Sequence, residues 1–149
     1  MTFKNNVYEA CIQQLVDKIA YLQAALNDLT EGAENDAKSS AGDKHETSRA
    51  MMQIEHEKIS KQLSDTLLQK SNIEQIDLTF KSPTIGTGSL LKTNKGYLFM
   101  SAALGKINVN GKDVITLSMQ SPLGQKLAGL KTGSLTEING TQYIIEEVL

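Results

Sequence analysis

One apolar position recurs early in the chain, at Tyr8, Ile12, Leu15, Ile19, Leu22, Leu26 and Leu29, in alternating steps of four and three. Its phase returns at Met52, Ile59, Leu63 and Ile73, with His56, Thr66 and Lys70 filling the register between them. A repeat of about 3.5 residues is a coiled-coil seam, narrower than the stripe of a helix lying on a globular core. Between the two stretches stands a polar break, Ser40-Ala41-Gly42-Asp43-Lys44-His45-Glu46-Thr47. Two such helices joined by one short, Gly-containing break fold back on each other as an antiparallel hairpin, and the break becomes the tip of a projecting rod. The pattern predicts a first helix from near Phe3–Asn6 past Leu29 and a second from the tip to about Asn72–Gln75. An arm of about 30 residues at 1.5 Å each is roughly 45 Å long. Beyond Leu29 the seam weakens to Gly32, Ala33 and Ala37, small residues that would let the two helices approach closely.

From Gln75 the period changes. Ile76-Asp77-Leu78-Thr79-Phe80 alternates until Lys81-Ser82-Pro83 breaks it. Strands are expected over Gly88–Thr93, Gly96–Ala103, Lys106–Val109, Asp113–Met119, Gly133–Ile138 and Thr141–Val148. Asn110-Gly111 and Asn139-Gly140 are hairpin signals, because both residues tolerate the positive φ that a tight two-residue turn demands. Ser121 reads as the cap of a short helix, with Pro122 at its first position and Gly129 ending it. The expected fold is α+β. Residues 1–75 form an antiparallel helical hairpin with its tip at 40–47, and residues 76–149 a small, mostly antiparallel sheet with one short helix.

Charge divides along the same line. Residues 1–75 hold 8 Lys and Arg against 12 Asp and Glu, net −4, while residues 76–149 hold 7 against 5, net +2. An acidic rod does not lie along duplex nucleic acid, whose phosphates demand cations. The asymmetry suits a polyanion or a charged protein partner instead. Cys11 is the single cysteine, so no internal disulfide forms and a reducing, cytoplasmic compartment is expected. Cys11 lies beside the seam residue Ile12 and is expected to be partly buried. Met51 and Met52 read as core. No membrane span or signal peptide is visible.

The chemistry-bearing residues gather at the tip. Asp43-x-x-Glu46 reads first as a capping box, with Asp43 accepting from a first-turn N–H and Glu46 bonding back to the cap N–H. Ser121-Pro122 is likewise an ordinary helix start. His45 reads as solvated, and His56 as a polar seam residue that sets register.

Two motifs in order, Gly42-Asp43-Lys44-His45-Glu46-Thr47 at the tip and Ser121-Pro122-Leu123-Gly124 with Leu127, Gly129 and Gly133, change that picture. On a rod of this length the chain resembles the Gre-type transcript cleavage factors of bacterial RNA polymerase, over nearly its whole extent. The resemblance implies an FKBP-like C-terminal domain that docks on the rim of the polymerase secondary channel, with Ser121 and Pro122 in the dock. It implies that the hairpin enters the channel and that Asp43 and Glu46 help hold a Mg²⁺ shared with the polymerase, which then cleaves the 3′ end of backtracked RNA. The partners implied are RNA polymerase and the nascent RNA 3′ end, with this chain a monomer and not itself the enzyme. Lys44 and Arg49 stand as candidates for contact with that RNA. The chain departs from the family after the tip: Thr47-Ser48-Arg49-Ala50 replaces Asn-Ala-Glu-Tyr. A channel-binding modulator or inhibitor without cleavage activity is therefore the alternative. A prolyl isomerase would need a concave aromatic pocket from Phe80, Tyr97, Phe99 and Tyr143, and a coiled-coil adaptor would dimerise through residues 1–75.

Overall fold

The computed structural model describes residues 2–37 and 42–149, and the side chains of all of these except 33–37 and 42–45. Two long helices, α1 (Phe3–Ala37) and α2 (Gly42–Glu74), form the N-terminal helical hairpin. The sheet domain follows with strands β1 (Leu90–Thr93), β2 (Gly96–Met100), β3 (Gly105–Val109) and β4 (Lys112–Leu117), helix α3 (Pro122–Leu127), and strands β5 (Leu135–Ile138) and β6 (Thr141–Val148). By packing, the chain divides into Met1–Gln13 with Asn72–Leu149, and Gln14–Ser71. The division expected at residue 75 follows the change of period; packing assigns the ends of both helices to the sheet.

The six strands lie in the order β3-β4-β2-β1-β6-β5. Every pairing is antiparallel except β2 with β4, which run parallel with Leu98 beside Ile115 and Met100 beside Leu117. The two Asn-Gly turns close β3–β4 and β5–β6 as expected, with φ of 54° and 79° at Asn110 and Gly111 and 51° and 80° at Asn139 and Gly140. A register shift interrupts β1–β6 between Lys92 and Thr93. Asn94 bridges the gap there: its Oδ1 accepts from Ile144 N–H at 2.8 Å and its Nδ2 donates to Gln142 O at 3.2 Å. The alternation at 76–80 does not make a strand. Asp77 Oδ1 accepts both the N–H and the hydroxyl of Thr79, at 2.9 and 2.6 Å, and folds a local turn instead.

Both faces of the sheet are covered within this unit. One face gathers Leu91, Leu98, Met100, Leu117, Ile145 and Val148 around Ile85 and Leu127 of α3. The other carries Leu90, Phe99 and Val114, all sealed from solvent. On that face Phe3 meets Tyr97 edge-on, with centroids 4.9 Å apart, and Lys112 Nζ sits 5.1 and 5.5 Å from the two rings. Lys4 Nζ donates to Leu149 O at 3.1 Å. Phe3, Val7 and Cys11 follow at steps of four, a stripe distinct from the coiled-coil seam. This explains why Val7 and Cys11 are fully buried while the seam residues Tyr8 and Ile12 are only half-buried. The partial burial expected of Cys11 is thereby corrected. Burial pushes its thiol up to about 11, so reactive thiolate is scarce near neutral pH.

In the unit Gln14–Ser71 the expected seam holds at Leu15, Leu22, Ile59 and Thr66, which are buried. Thr66 satisfies its hydroxyl by donating to Gln62 O at 2.7 Å, one turn back. Gly32 is where the helices come close: a Cβ there would stand 3.1 Å from Met52 Cε. Two expectations fail. Met51 is 66% exposed rather than core, because it lies off the stripe that Met52 occupies. His56 is exposed rather than enclosed in the seam, with Nδ1 3.4 Å from Ser60 Oγ.

Candidate functional site

Helix α2 begins at Gly42, so Asp43 and Glu46 of the expected tip belong to its first turns. The capping box expected of Asp43 and Glu46 rests on the side chain of Asp43, which lies outside the described residues. Asp43, Glu46 and Arg49 then succeed one another at three-residue steps on one stripe of α2. The side chains of Asp43 and Lys44 lie outside the described residues, as do Ser40 and Ala41 of the expected tip. Glu46 and Arg49 are exposed.

Glu46 and Arg49 line a hollow of about 490 Å³ with Leu29 and Thr30 of α1 and Ala50, Met52, Gln53 and His56 of α2. Leu29, Ala50 and Met52 make up its apolar lining, and Thr30, Glu46, Arg49, Gln53 and His56 its polar lining. The sequence reading missed this grouping. The signal was present in the spacing of Glu46, Arg49, Gln53 and His56, which advance by three, four and three along α2.

Ser121 and Pro122 sit where expected, at the start of α3. Ser121 Oγ accepts from Gly124 N–H at 3.0 Å and donates to Ser118 O at 2.7 Å, so the hydroxyl is spent inside the fold. Pro122 is exposed beside it. Pro122, Lys126, Glu137, Ile138, Asn139 and Gly140 surround a second hollow, of about 600 Å³. There Lys126 Nζ donates to Glu137 O at 2.9 Å and closes part of the β5 edge. Gly124 explains its own identity: a Cβ on it would run into Ser118 O and stand 3.0 Å from Met119 Cα.

The four aromatics named for an isomerase pocket are spent separately. Phe80 is exposed, Phe99 is fully buried, Tyr97 takes Phe3 edge-on, and Tyr143 packs against the core cluster. Among the described residues no group of three or more His, Cys, Asp or Glu is placed to hold a metal ion. Among them, too, no helix is long and apolar enough to cross a membrane.

No family model matches the chain, and no curated protein matches it. A solved structure of the transcription factor Gfh1 aligns with 95% of this chain and 92% of its own, at 19% identity and a TM-score of 0.35.

Proposed function

We propose that this chain is a transcription elongation regulator that binds RNA polymerase and inserts its helical hairpin into the secondary channel. The observation that carries the reading is a pair of helices of 35 and 33 residues in which the second opens on Asp43-x-x-Glu46. Such an arm suits a channel in a large partner, and its sequence resemblance to cleavage factors rests on the same residues. The sheet domain, net +2 where the hairpin is net −4, is the proposed anchor, with Pro122 exposed for the dock and Ser121 shaping it.

Asp43 and Glu46 would help hold a Mg²⁺ shared with the polymerase, an ion that supplies charge stabilisation and an activated water in phosphodiester cleavage. Mg²⁺ takes hard oxygen donors and keeps several waters, so two carboxylates on one helical stripe fit a minor share of its shell. The other ligands must come from the polymerase. A backtracked elongation complex tests this. The chain should raise the rate of RNA shortening, and Asp43→Ala/Glu46→Ala should remove that gain while polymerase binding persists. Undiminished cleavage with the double variant would refute the metal role.

Arg49 favours a second reading, a channel-binding modulator without cleavage activity. It brings a cation to the stripe that the metal reading needs to be acidic. Altered pausing or initiation without RNA shortening, lost on changing Pro122, is the result expected from it.

A further inference from the structure

A third hollow, of about 330 Å³, lies within the sheet unit, where the start of α1 meets the segment leading into β1. Its size falls at the small end of ligand sites, which run from roughly 300 to 1,000 Å³. Lys4, Asp77, Phe80, Ser82, Thr87 and Leu149 are among the residues that line it. Residues 86–89 form one wall, a turn fixed by its own hydrogen bonds. Ser89 N–H donates to Gly86 O at 3.1 Å, Gly86 N–H to Ser89 Oγ at 3.0 Å, and Gly88 N–H to Met100 O at 2.7 Å. Gly88 has a φ of 89°, and a Cβ there would stand 2.7 Å from Ile76 Cγ2. Thr87 is exposed on this turn, and among the described residues neither its N–H nor its hydroxyl has a partner.

Lys4 supplies the charge. Its ammonium has three N–H donors and spends one on Leu149 O at 3.1 Å. Burial, and after it the charge of neighbouring Lys81, hold Lys4 below the ordinary lysine pKa, and Asp77 only partly offsets them. Asp77 Oδ1 is itself taken up by the N–H and hydroxyl of Thr79. Two ammonium groups that repel each other are both relieved by an anion placed between them. Phe80, in the same lining, is 68% exposed, so its ring is open to a planar partner. We propose that this hollow binds a phosphate monoester carried on a flat ring, a mononucleotide being the plainest such ligand. The phosphate lies between Lys4 and Lys81 and takes the N–H and hydroxyl of Thr87, while the ring stacks on Phe80. Neither the tip acids nor Pro122 takes part, so the site stands independently of the proposed function.

The experiment titrates the full, isotope-labelled chain with adenosine monophosphate, inorganic phosphate and adenosine, following the amide resonances of residues 86–89. Low ionic strength keeps the charge contribution unscreened. The monophosphate should shift these amides saturably. Phosphate alone should act on the same amides about tenfold more weakly, since a stacked base is worth about that factor. Adenosine, which lacks the charge, should also bind about tenfold more weakly than the monophosphate. Phe80→Ala should weaken the monophosphate about tenfold and leave phosphate within about twofold. Lys81→Glu should weaken both by about tenfold, because it turns an attraction into a repulsion. Phe80 and Lys81 are exposed, so folding is not at stake in either variant. Equal affinity for the monophosphate and either of its parts would overturn the proposal. So would affinities unmoved by the two substitutions, or the absence of a saturable shift at residues 86–89.

Discussion

In the sheet unit Leu90, Phe99, Met100, Val114, Leu127 and Ile145 are sealed from solvent on both faces of one sheet. In Gln14–Ser71 the sealed side chains among the described residues are Leu15, Leu22, Ile59 and Thr66, strung along one seam. A two-sided core ties each residue to many others, whereas a seam ties each to its neighbours across a single line. The consequence shows in the two motifs. Ser121 and Gly124 are consumed by the packing of α3, while Glu46 and Arg49 stand on a helix surface whose stability does not depend on them. A change at Glu46 or Arg49 therefore comes at little cost to folding, whereas a change at Ser121 or Gly124 does not.

The sharpest way to break this comparison is Gly124→Ala. The added methyl meets the backbone of Ser118 and Met119, which cannot swing aside as a side chain would. A loss of about 3 kcal/mol is expected, the upper end of ordinary overpacking. Denaturant unfolding followed by near-ultraviolet signal from Tyr97 and Tyr143 would measure it. A variant as stable as wild type would mean that α3 is free to shift, and the contrast between the two motifs would fall with it.

Ile59→Ala sharpens the other side. Among the described residues Ile59 is the buried apolar residue of α2 within the seam unit, and its truncation should cost about 2 kcal/mol, the low end for such changes, because a site on a narrow seam can collapse. Helical signal at 222 nm against temperature is the measurement. The sheet's tyrosine signal should move less, if packing divides the chain where the contacts do.

Much of the fold was legible in sequence because its signals are local. Apolar repeats at 3.5 residues marked α1 and α2, and Asn-Gly pairs and Ser-Pro marked the hairpins and α3 within a few residues. What escaped is what depends on a second partner. The stripe of Phe3, Val7 and Cys11 has ordinary helical spacing, but only the sheet tells it apart from the seam, so the burial of Cys11 was underestimated. Met51 and His56 failed for the opposite reason: an apolar side chain or a seam phase does not guarantee a neighbour across the gap. At the site, the residue types and spacing of Asp43, Glu46 and Arg49 were plain. The grouping of Glu46 and Arg49 with Thr30, Gln53 and His56 around one hollow required both helices in place.

The smallest expected effect concerns the ring cluster that joins α1 to the sheet within the first unit. Lys112 is exposed, yet its Nζ lies 5.1 Å from the Phe3 ring and 5.5 Å from Tyr97, close enough for attraction to both π faces. Lys112→Ala should cost about 0.5–1 kcal/mol, the range for cation–π contacts at exposed sites. Lys112→Arg should retain most of it, since a guanidinium also stacks on aromatic faces. Hydrogen exchange at the amides of Val7 through Cys11 gives the finer reading. If the cation holds Phe3 against Tyr97, those amides should exchange faster in Lys112→Ala, with the Leu22 region unchanged. Equal protection in both variants would leave the edge-on ring pair, 4.9 Å between centroids, as the contact that fixes this end of α1.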